Sequence, residues 1–320
     1  MNICYTGGGS GGHIFPIFPI DDLLLKHESS LNRIFIGRIS DEERTWVESH
    51  GIPYYSIQSG KLRRYHSILN FIDLFRVVVG FFQAIRLLRK EKPSVVFSKG
   101  GFVSVPVVIA ARILKIPIIT HDSDSTPGLA NKIAIHFATT MCIAHQEVEE
   151  AFLKHLRKKC VVTGVPSRLN KEHHRILHIY KKPLIAIFGG SLGALQINNL
   201  ITPIIEELSE IAYVVHQTGK GKGEVKSLLN YETHEFIEDE YIDILSQASL
   251  VISRSGATSL ADYIEMEVPP LLIPLGRNAS RGDQIMNAYH LVQKGAAVVL
   301  EGENVKPEEL LFKITSLLLD

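Results

Sequence analysis

Short apolar runs recur along this chain, and between most of them apolar positions return every third or fourth residue. Ile3-Cys-Tyr5, Ile34-Phe-Ile36, Tyr54-Tyr-Ser-Ile57, Val95-Val-Phe97, Ile116-Pro-Ile-Ile-Thr120 and Met141-Cys-Ile143 read as short buried strands. The helix-period segments between them are what parallel βαβ construction requires. Val161-Val-Thr163 closes this half. Gly164 to Lys182 is polar and basic, with His173, His174 and His178, and reads as a linker. At Pro183 the pattern restarts: Leu184-Ile-Ala-Ile-Phe188 runs into Gly189-Gly-Ser-Leu-Gly-Ala194 and then a helical segment. Further strands are expected at Tyr213-Val-Val215, Leu250-Val-Ile252, Leu271-Leu-Ile273 and Ala297-Val-Val-Leu300. The expectation is an α/β protein of two similar Rossmann-like domains, 1–163 and 183–320, joined by 164–182. Their parallel sheets are expected to face a central cleft, with ligand at the strand C-terminal ends. Two unrelated α/β units in tandem would show the same alternation.

Composition narrows the function. At 320 residues the chain exceeds the usual single core. Lys+Arg and Asp+Glu are 34 each, so no global field draws it to nucleic acid, and no nucleic-acid partner is expected. Cys4, Cys142 and Cys160 are too scattered for a disulfide framework or a zinc site. No basic segment followed by an apolar stretch opens the chain, so no secretory leader is expected. Apolar stretches such as Val77 to Phe82 fall far short of the ~20 residues a spanning helix needs, and a cytoplasmic protein is the expectation.

The candidate chemistry starts at Gly7-Gly-Gly-Ser-Gly-Gly-His13, directly after the first strand. It matches the dinucleotide pattern G-x-G-x-x-G in form. That pattern also needs an acid at the end of the second strand to hold a ribose, and here the strand ends Ile36-Gly-Arg38. A P-loop would need lysine where His13 stands. What remains is a turn whose exposed amides suit anionic groups such as phosphate oxygens. The run Gly189 to Ala194 offers a second such turn.

Further motifs occur in order: His121-Asp-Ser-Asp-Ser-Thr-Pro-Gly-Leu-Ala-Asn131, Ile252-Ser-Arg-Ser-Gly-Ala-Thr-Ser-Leu-Ala-Asp262, Pro269-Pro-Leu-Leu-Ile-Pro-Leu275, Asn278 to Ala288 and Gly295-Ala-Ala297. With the two glycine turns they resemble the MurG family of GT-B glycosyltransferases, over residues 2 to about 300. Ser59-Gly-Lys-Leu-Arg-Arg-Tyr65 and Phe97-Ser-Lys-Gly-Gly-Phe-Val-Ser-Val-Pro-Val107 resemble the Gram-positive version. The resemblance implies inverting transfer of GlcNAc from UDP-GlcNAc to the C4 hydroxyl of MurNAc-pentapeptide on undecaprenyl pyrophosphate (lipid I), in peptidoglycan synthesis.

Roles follow from the same resemblance. His13 is the favoured base and Asp124 competes with it. Imidazole, with an ordinary pKa of about 6.5, is mostly neutral at pH 7, and a helix beginning beside His13 would disfavour its cation. Gly8, Gly9, His121 and Asp124 would meet the acceptor. Ser10, Gly11, Gly12, Arg168, Ser191, Gly193, Gly256, Ala257 and Thr258 would meet the donor, with oriented amides offsetting charge on the departing diphosphate. Ile237 matches the position whose backbone reads uracil. Asp262 stands where the family has a glutamate bound to the ribose hydroxyls, and Gln284 matches the glutamine that holds GlcNAc hydroxyls. Asp122-Ser-Asp124 mimics a D-x-D metal signature, but the GT-B motifs point to a metal- and cofactor-independent enzyme, with acceptor contact the role of this loop.

A lipid acceptor requires docking on a bilayer. Residues 61–92 carry eight Lys/Arg against Asp73 and Glu91, interleaved with Ile68, Phe71, Leu74, Phe75, Val78, Phe82 and other apolar residues. A basic amphipathic surface on the inner face of the cell membrane is expected; a core helix with a solvated basic edge is the alternative. Two other functions stay open: a GT-B enzyme acting on another lipid such as diacylglycerol, and a nucleotide-sugar-binding protein without turnover.

Overall fold

The computed structural model describes residues 1–60, 69–167, 169, 180–190, 193–223, 228–237, 240–276, 282–302 and 305–319, with residues 69–72 by backbone alone. The chain divides into two compact units, Met1–Arg168 and Leu169–Asp320.

In the first unit, β1 (Asn2–Thr6), β2 (Asn32–Arg38), β3 (Tyr54–Ile57), β4 (Val95–Ser98), β5 (Ile118–Asp122), β6 (Thr140–Ile143) and β7 (Cys160–Val162) form one seven-stranded sheet. Every neighbouring pair is parallel, in the order β3-β2-β1-β4-β5-β6-β7. Parallel strands must be covered on both faces, which explains their runs of unalternated apolar residues. One face buries Cys4, Ile36 and Val96. The other buries Tyr5, Phe35 and Phe97. Helices α1 (Ile17–His27), α2 (Asp41–Ser49), α3 (Leu69–Glu91), α4 (Ser104–Ile113) and α5 (Leu129–Phe137) form the crossovers.

Two of these helices bear on function. At α2, Ser40 accepts a hydrogen bond from the Glu43 amide, the N-cap that Ser-x-x-Glu spacing foretells. Helix α3 buries Asp73, Gly80, Ala84 and Leu88 along one stripe. Its other side leaves Leu74, Phe75, Val78 and Phe82 exposed, Phe75 by 70%. No described helix is long and apolar enough to cross a membrane.

The second unit repeats the plan with six strands: β8 (Leu184–Phe188), β9 (Tyr213–Gln217), β10 (Tyr231–His234), β11 (Ala248–Ser253), β12 (Pro270–Leu272) and β13 (Val298–Val299). They run parallel in the order β10-β9-β8-β11-β12-β13. Helices α6 (Leu195–Ile201), α7 (Ile205–Ile211), α8 (Tyr241–Gln247), α9 (Ala257–Glu265), α10 (Asp283–Gln293) and α11 (Pro307–Leu319) complete it. Strand β10 was not among those expected. Its sequence, Tyr-Glu-Thr-His, is a half-buried edge with no apolar run to announce it.

In both units the chain leaves the first strand toward one side and returns on the other. The switch point therefore falls between β1 and β4, and again between β8 and β11. Crevices outside the strand C-termini at such points are where open α/β sheets bind ligands.

Candidate functional site

At the first switch point two glycine-containing loops meet. Strand β1 exits into Gly7–His13 and β4 exits into Lys99–Val103. Gly101 has φ +80°, and a Cβ there would stand 2.2 Å from the Gly8 carbonyl oxygen, so only glycine lets the two loops touch. Part of what comes close to the glycine run is thus another stretch of the same chain. Gly9, Ser10 and Gly12 stay exposed, whereas Gly7, Gly8 and Gly11 are buried.

The Gly9 amide is already bonded: it donates to Glu43 Oε1 at 2.9 Å. The same buried carboxylate pairs with Arg38 Nε at 2.6 Å. This ion pair at the end of β2 stands where a dinucleotide enzyme would hold a ribose with a free acid.

His13 is half-buried, and its Nδ1 lies 3.2 Å from the Lys99 carbonyl oxygen. A carbonyl only accepts, so this contact puts the proton on Nδ1 and the basic lone pair on Nε2. The helix expected to begin beside His13 does not. Gly11–His13 forms a single 3-10 turn, and α1 starts only at Ile17, after Pro16. Glycines propagate an α-helix poorly, which delays its start.

The loop after β5 completes this side. Asp122 is buried; its Oδ1 accepts from the Asp124 amide at 3.1 Å, and its Oδ2 from the Gly128 amide at 3.0 Å and Asn131 Nδ2 at 2.9 Å. Both oxygens of the D-x-D-like aspartate therefore hold the loop. Asp124 is half-buried. His121 is buried and donates from Nε2 to the Gly164 carbonyl at 2.9 Å, while its Nδ1 has no partner among the described residues. Burial, then the charge of Lys99, pushes its pKa down to about 3, so the ring is neutral. Lys99 itself is only 2% exposed and donates from Nζ to Ser123 Oγ at 2.9 Å. Burial lowers its pKa, and Asp122 and Asp124 oppose that.

At the second switch point, Ser253 Oγ donates to the Phe188 carbonyl at 2.9 Å and tethers the ends of β8 and β11. Gly193 has φ +68°, and a Cβ there would stand 2.3 Å from the Thr218 carbonyl oxygen, so this turn also requires glycine. Gln217, buried at the end of β9, donates to the Gly190 carbonyl and accepts from the Ile237 amide, each at 3.0 Å. The amide expected to read uracil is therefore satisfied inside the unit. Helix α9 opens at Ala257 after Gly256, with no side chain capping it, and Gly256, Ala257 and Thr258 are half-buried. Its first-turn amides suit an anion.

Gln284 Oε1 accepts from the Leu275 amide at 3.0 Å. That fixes the orientation of the half-buried carboxamide and leaves its NH2 as the group to offer a sugar hydroxyl. Asp262, expected at the ribose hydroxyls, has no exposed surface and accepts from Tyr241 OH at 3.2 Å. Arg168, Ser191 and residues 61–68 of the basic segment lie outside the described residues.

The sequence assigns no role to Lys99, Glu43 or Gln217, although Lys99 lies in the Phe97–Val107 motif. Glu43 reads as half of a capping box, but its carboxylate goes to Gly9 instead. Lys99 and Gln217 share one further signal, a polar residue at the exit of an apolar strand.

The chain is similar to known glycosyltransferases along its length. The glycosyltransferase family 28 N-terminal domain matches residues 3–143, and the family 28 C-terminal domain matches residues 184–320. The UDP-N-acetylglucosamine–N-acetylmuramyl-(pentapeptide) pyrophosphoryl-undecaprenol N-acetylglucosamine transferase of Lachnospira eligens is 44% identical, over 99% of this chain and 91% of that protein. Its Clostridium perfringens counterpart is 42% identical, over 98% and 89% respectively. The crystal structure of Acinetobacter baumannii MurG superposes with a TM-score of 0.73 at 25% identity, covering 100% of this chain and 91% of that one.

Proposed function

This chain belongs to the MurG family within glycosyltransferase family 28, and we propose that its two switch points divide the reaction between an acceptor-and-base side and a donor side. The reaction is transfer of GlcNAc from UDP-GlcNAc to lipid I, giving lipid II. The observation that carries it is 44% identity over 99% of the chain to an enzyme of that name. Of the motifs that resemble this family, Gly7–His13 leaves β1 and Phe97–Val107 spans the exit of β4 at the first switch point, and Ile252–Asp262 spans the exit of β11 at the second.

The chemistry is an in-line displacement. The acceptor's C4 hydroxyl attacks the anomeric carbon as the bond to the β-phosphate oxygen breaks, and the hydroxyl proton passes to a base. His13 is the base best supported, because the Lys99 carbonyl presets the tautomer with Nε2 as acceptor. Asp124 is the second candidate. Gly8 to Gly12 line the same turn and would meet the lipid pyrophosphate and the donor's reactive end. His121 is buried and would support the acceptor loop through its bond to the Gly164 carbonyl as well as meet the acceptor.

On the donor side, the amides of Gly256, Ala257 and Thr258 at the start of α9 and the turn through Gly193 would take up charge as UDP leaves. Arg168 and Ser191 would join them. Gln284 offers its NH2 to a GlcNAc hydroxyl. Uracil would meet the Ile237 carbonyl, and its amide once Gln217 turns away; Asp262 would bind the ribose after a shift of Tyr241. No step calls for a metal.

Docking on the membrane surface falls to α3. Leu74, Phe75, Val78 and Phe82 form an exposed apolar stripe, and Arg86, Arg89 and Lys90 are exposed on the same helix. That pairing suits an anionic lipid surface on the cytoplasmic side.

A donor and acceptor panel tests the activity. Transfer from UDP-GlcNAc to a lipid I analogue is the expected result. Turnover only with UDP-glucose or UDP-galactose and diacylglycerol, or binding without UDP release, would overturn it.

A further inference from the structure

We propose that Lys99 is the positioning residue of the acceptor side: its carbonyl aims His13, and its buried ammonium anchors the Ser123–Asp124 turn. One residue thereby sets both groups able to take the acceptor's proton. The inference rests on the transferase reading above and gives a role to a residue that the motifs left without one.

The physical case begins with cost. Removing an ammonium from water is unfavourable unless opposite charge and hydrogen bonds offset it. Lys99 is 2% exposed, and among the described residues its Nζ has one hydrogen-bond partner, the neutral Ser123 hydroxyl at 2.9 Å. An unbranched apolar side chain of the same length would fill this space without that penalty. The charge therefore has a task.

Among the described residues, the titratable groups that act on Lys99 lie at the end of β5 and in the loop after it: Asp122 and Asp124 favour its cation, and neighbouring His121 is kept neutral partly by it. Asp122 is already committed to Asn131 and to the Gly128 and Asp124 amides. Asp124, two residues on, is half-buried, and the anchored Ser123 is its immediate neighbour. On the opposite flank the Lys99 carbonyl holds His13 Nδ1 at 3.2 Å. Gly100 and Gly101, both at positive φ, turn the chain sharply after Lys99. The side chain can then point down beneath the β5 loop while the carbonyl meets the β1 loop.

Lys99→Met is the direct test, since it keeps the length and removes the charge. Steady-state UDP release with a lipid I analogue is expected to show kcat lower by about tenfold or more, with KM for UDP-GlcNAc within about twofold. The acidic limb of the kcat profile should move to higher pH, because loss of a nearby cation lets a carboxylate or imidazole hold its proton longer. Lys99→Arg should restore part of kcat and return the limb toward its original position. An unmoved limb with kcat within about twofold of the unaltered protein would overturn the proposal. Should Lys99→Met fail to fold, Ser123→Ala decides: a several-fold lower kcat supports the proposal, and unchanged kcat and acceptor KM overturn it. If the unaltered protein fails to turn over the analogue, the transferase reading itself falls.

Discussion

At Asp122 both carboxylate oxygens are occupied by the loop that carries them, and much of the site shares this character. Glu43 holds Gly9, and Ser253 holds Phe188. Preorganisation of this sort lets amides and bases meet a transition state without rearranging first. The same economy makes buried histidines sensitive to acid. His216 bonds Tyr231 OH through Nδ1 and Asn198 Oδ1 through Nε2, each at 3.0 Å, and burial lowers its pKa to about 4. It binds fewer protons folded than unfolded between pH 6.5 and 4, so stability rises with pH across that window and is lost as pH falls through it. The loss from His216 alone is about 3 kcal/mol. Urea midpoints between pH 7 and 4.5 should fall for the unaltered chain. His216→Gln should start less stable and fall less; an equal fall in both would remove His216 from the account. At this scale the sequence reveals residue types at strand exits but not their partners. His13 stands out because it ends a glycine run, whereas Lys99 shows its importance only once Ser123 and His13 meet it.

At the scale of elements, α2 joins two functions that sequence pattern treats as one. Ser40 caps the helix, and Glu43, its usual capping partner, is diverted to the glycine turn. Ser40→Ala should cost about 1 kcal/mol of stability, read by urea denaturation, with little change in transfer. Glu43→Leu should instead lower kcat/KM, because the Gly9 amide loses its acceptor and Arg38 its partner. Equal effects of the two substitutions on transfer would contradict this division. On α3, the exposed stripe predicts binding to anionic vesicles that weakens with salt. Replacing Arg86, Arg89 and Lys90 with Glu should abolish most of it, and salt-insensitive binding would exclude the electrostatic part of the docking surface. Apolar runs locate the buried strands well because parallel strands are covered on both faces. Edge strand β10 escaped notice because half-buried Tyr-Glu-Thr-His carries no such run. The delayed start of α1 escaped too, since a glycine run marks a turn without saying how many residues pass before a helix can hold.

Across the whole molecule, one plan occurs twice: a glycine turn leaves the first strand of a parallel sheet at the point where strand order reverses. The restart at Pro183 makes that repetition readable before any coordinates, because strand, glycine turn and helix recur in the same order. What the order of motifs could not reveal is how each turn is buttressed from below, since those contacts join residues far apart in the chain. On the proposed mechanism the first unit's glycine turn presents the base for GlcNAc transfer. The decisive measurement is steady-state UDP release from UDP-GlcNAc with a lipid I analogue, compared between the unaltered chain and His13→Ala. The expected result is kcat lower by ~10²–10⁴-fold with KM for UDP-GlcNAc nearly unchanged. A His13→Ala enzyme that turns over at the original rate would contradict it.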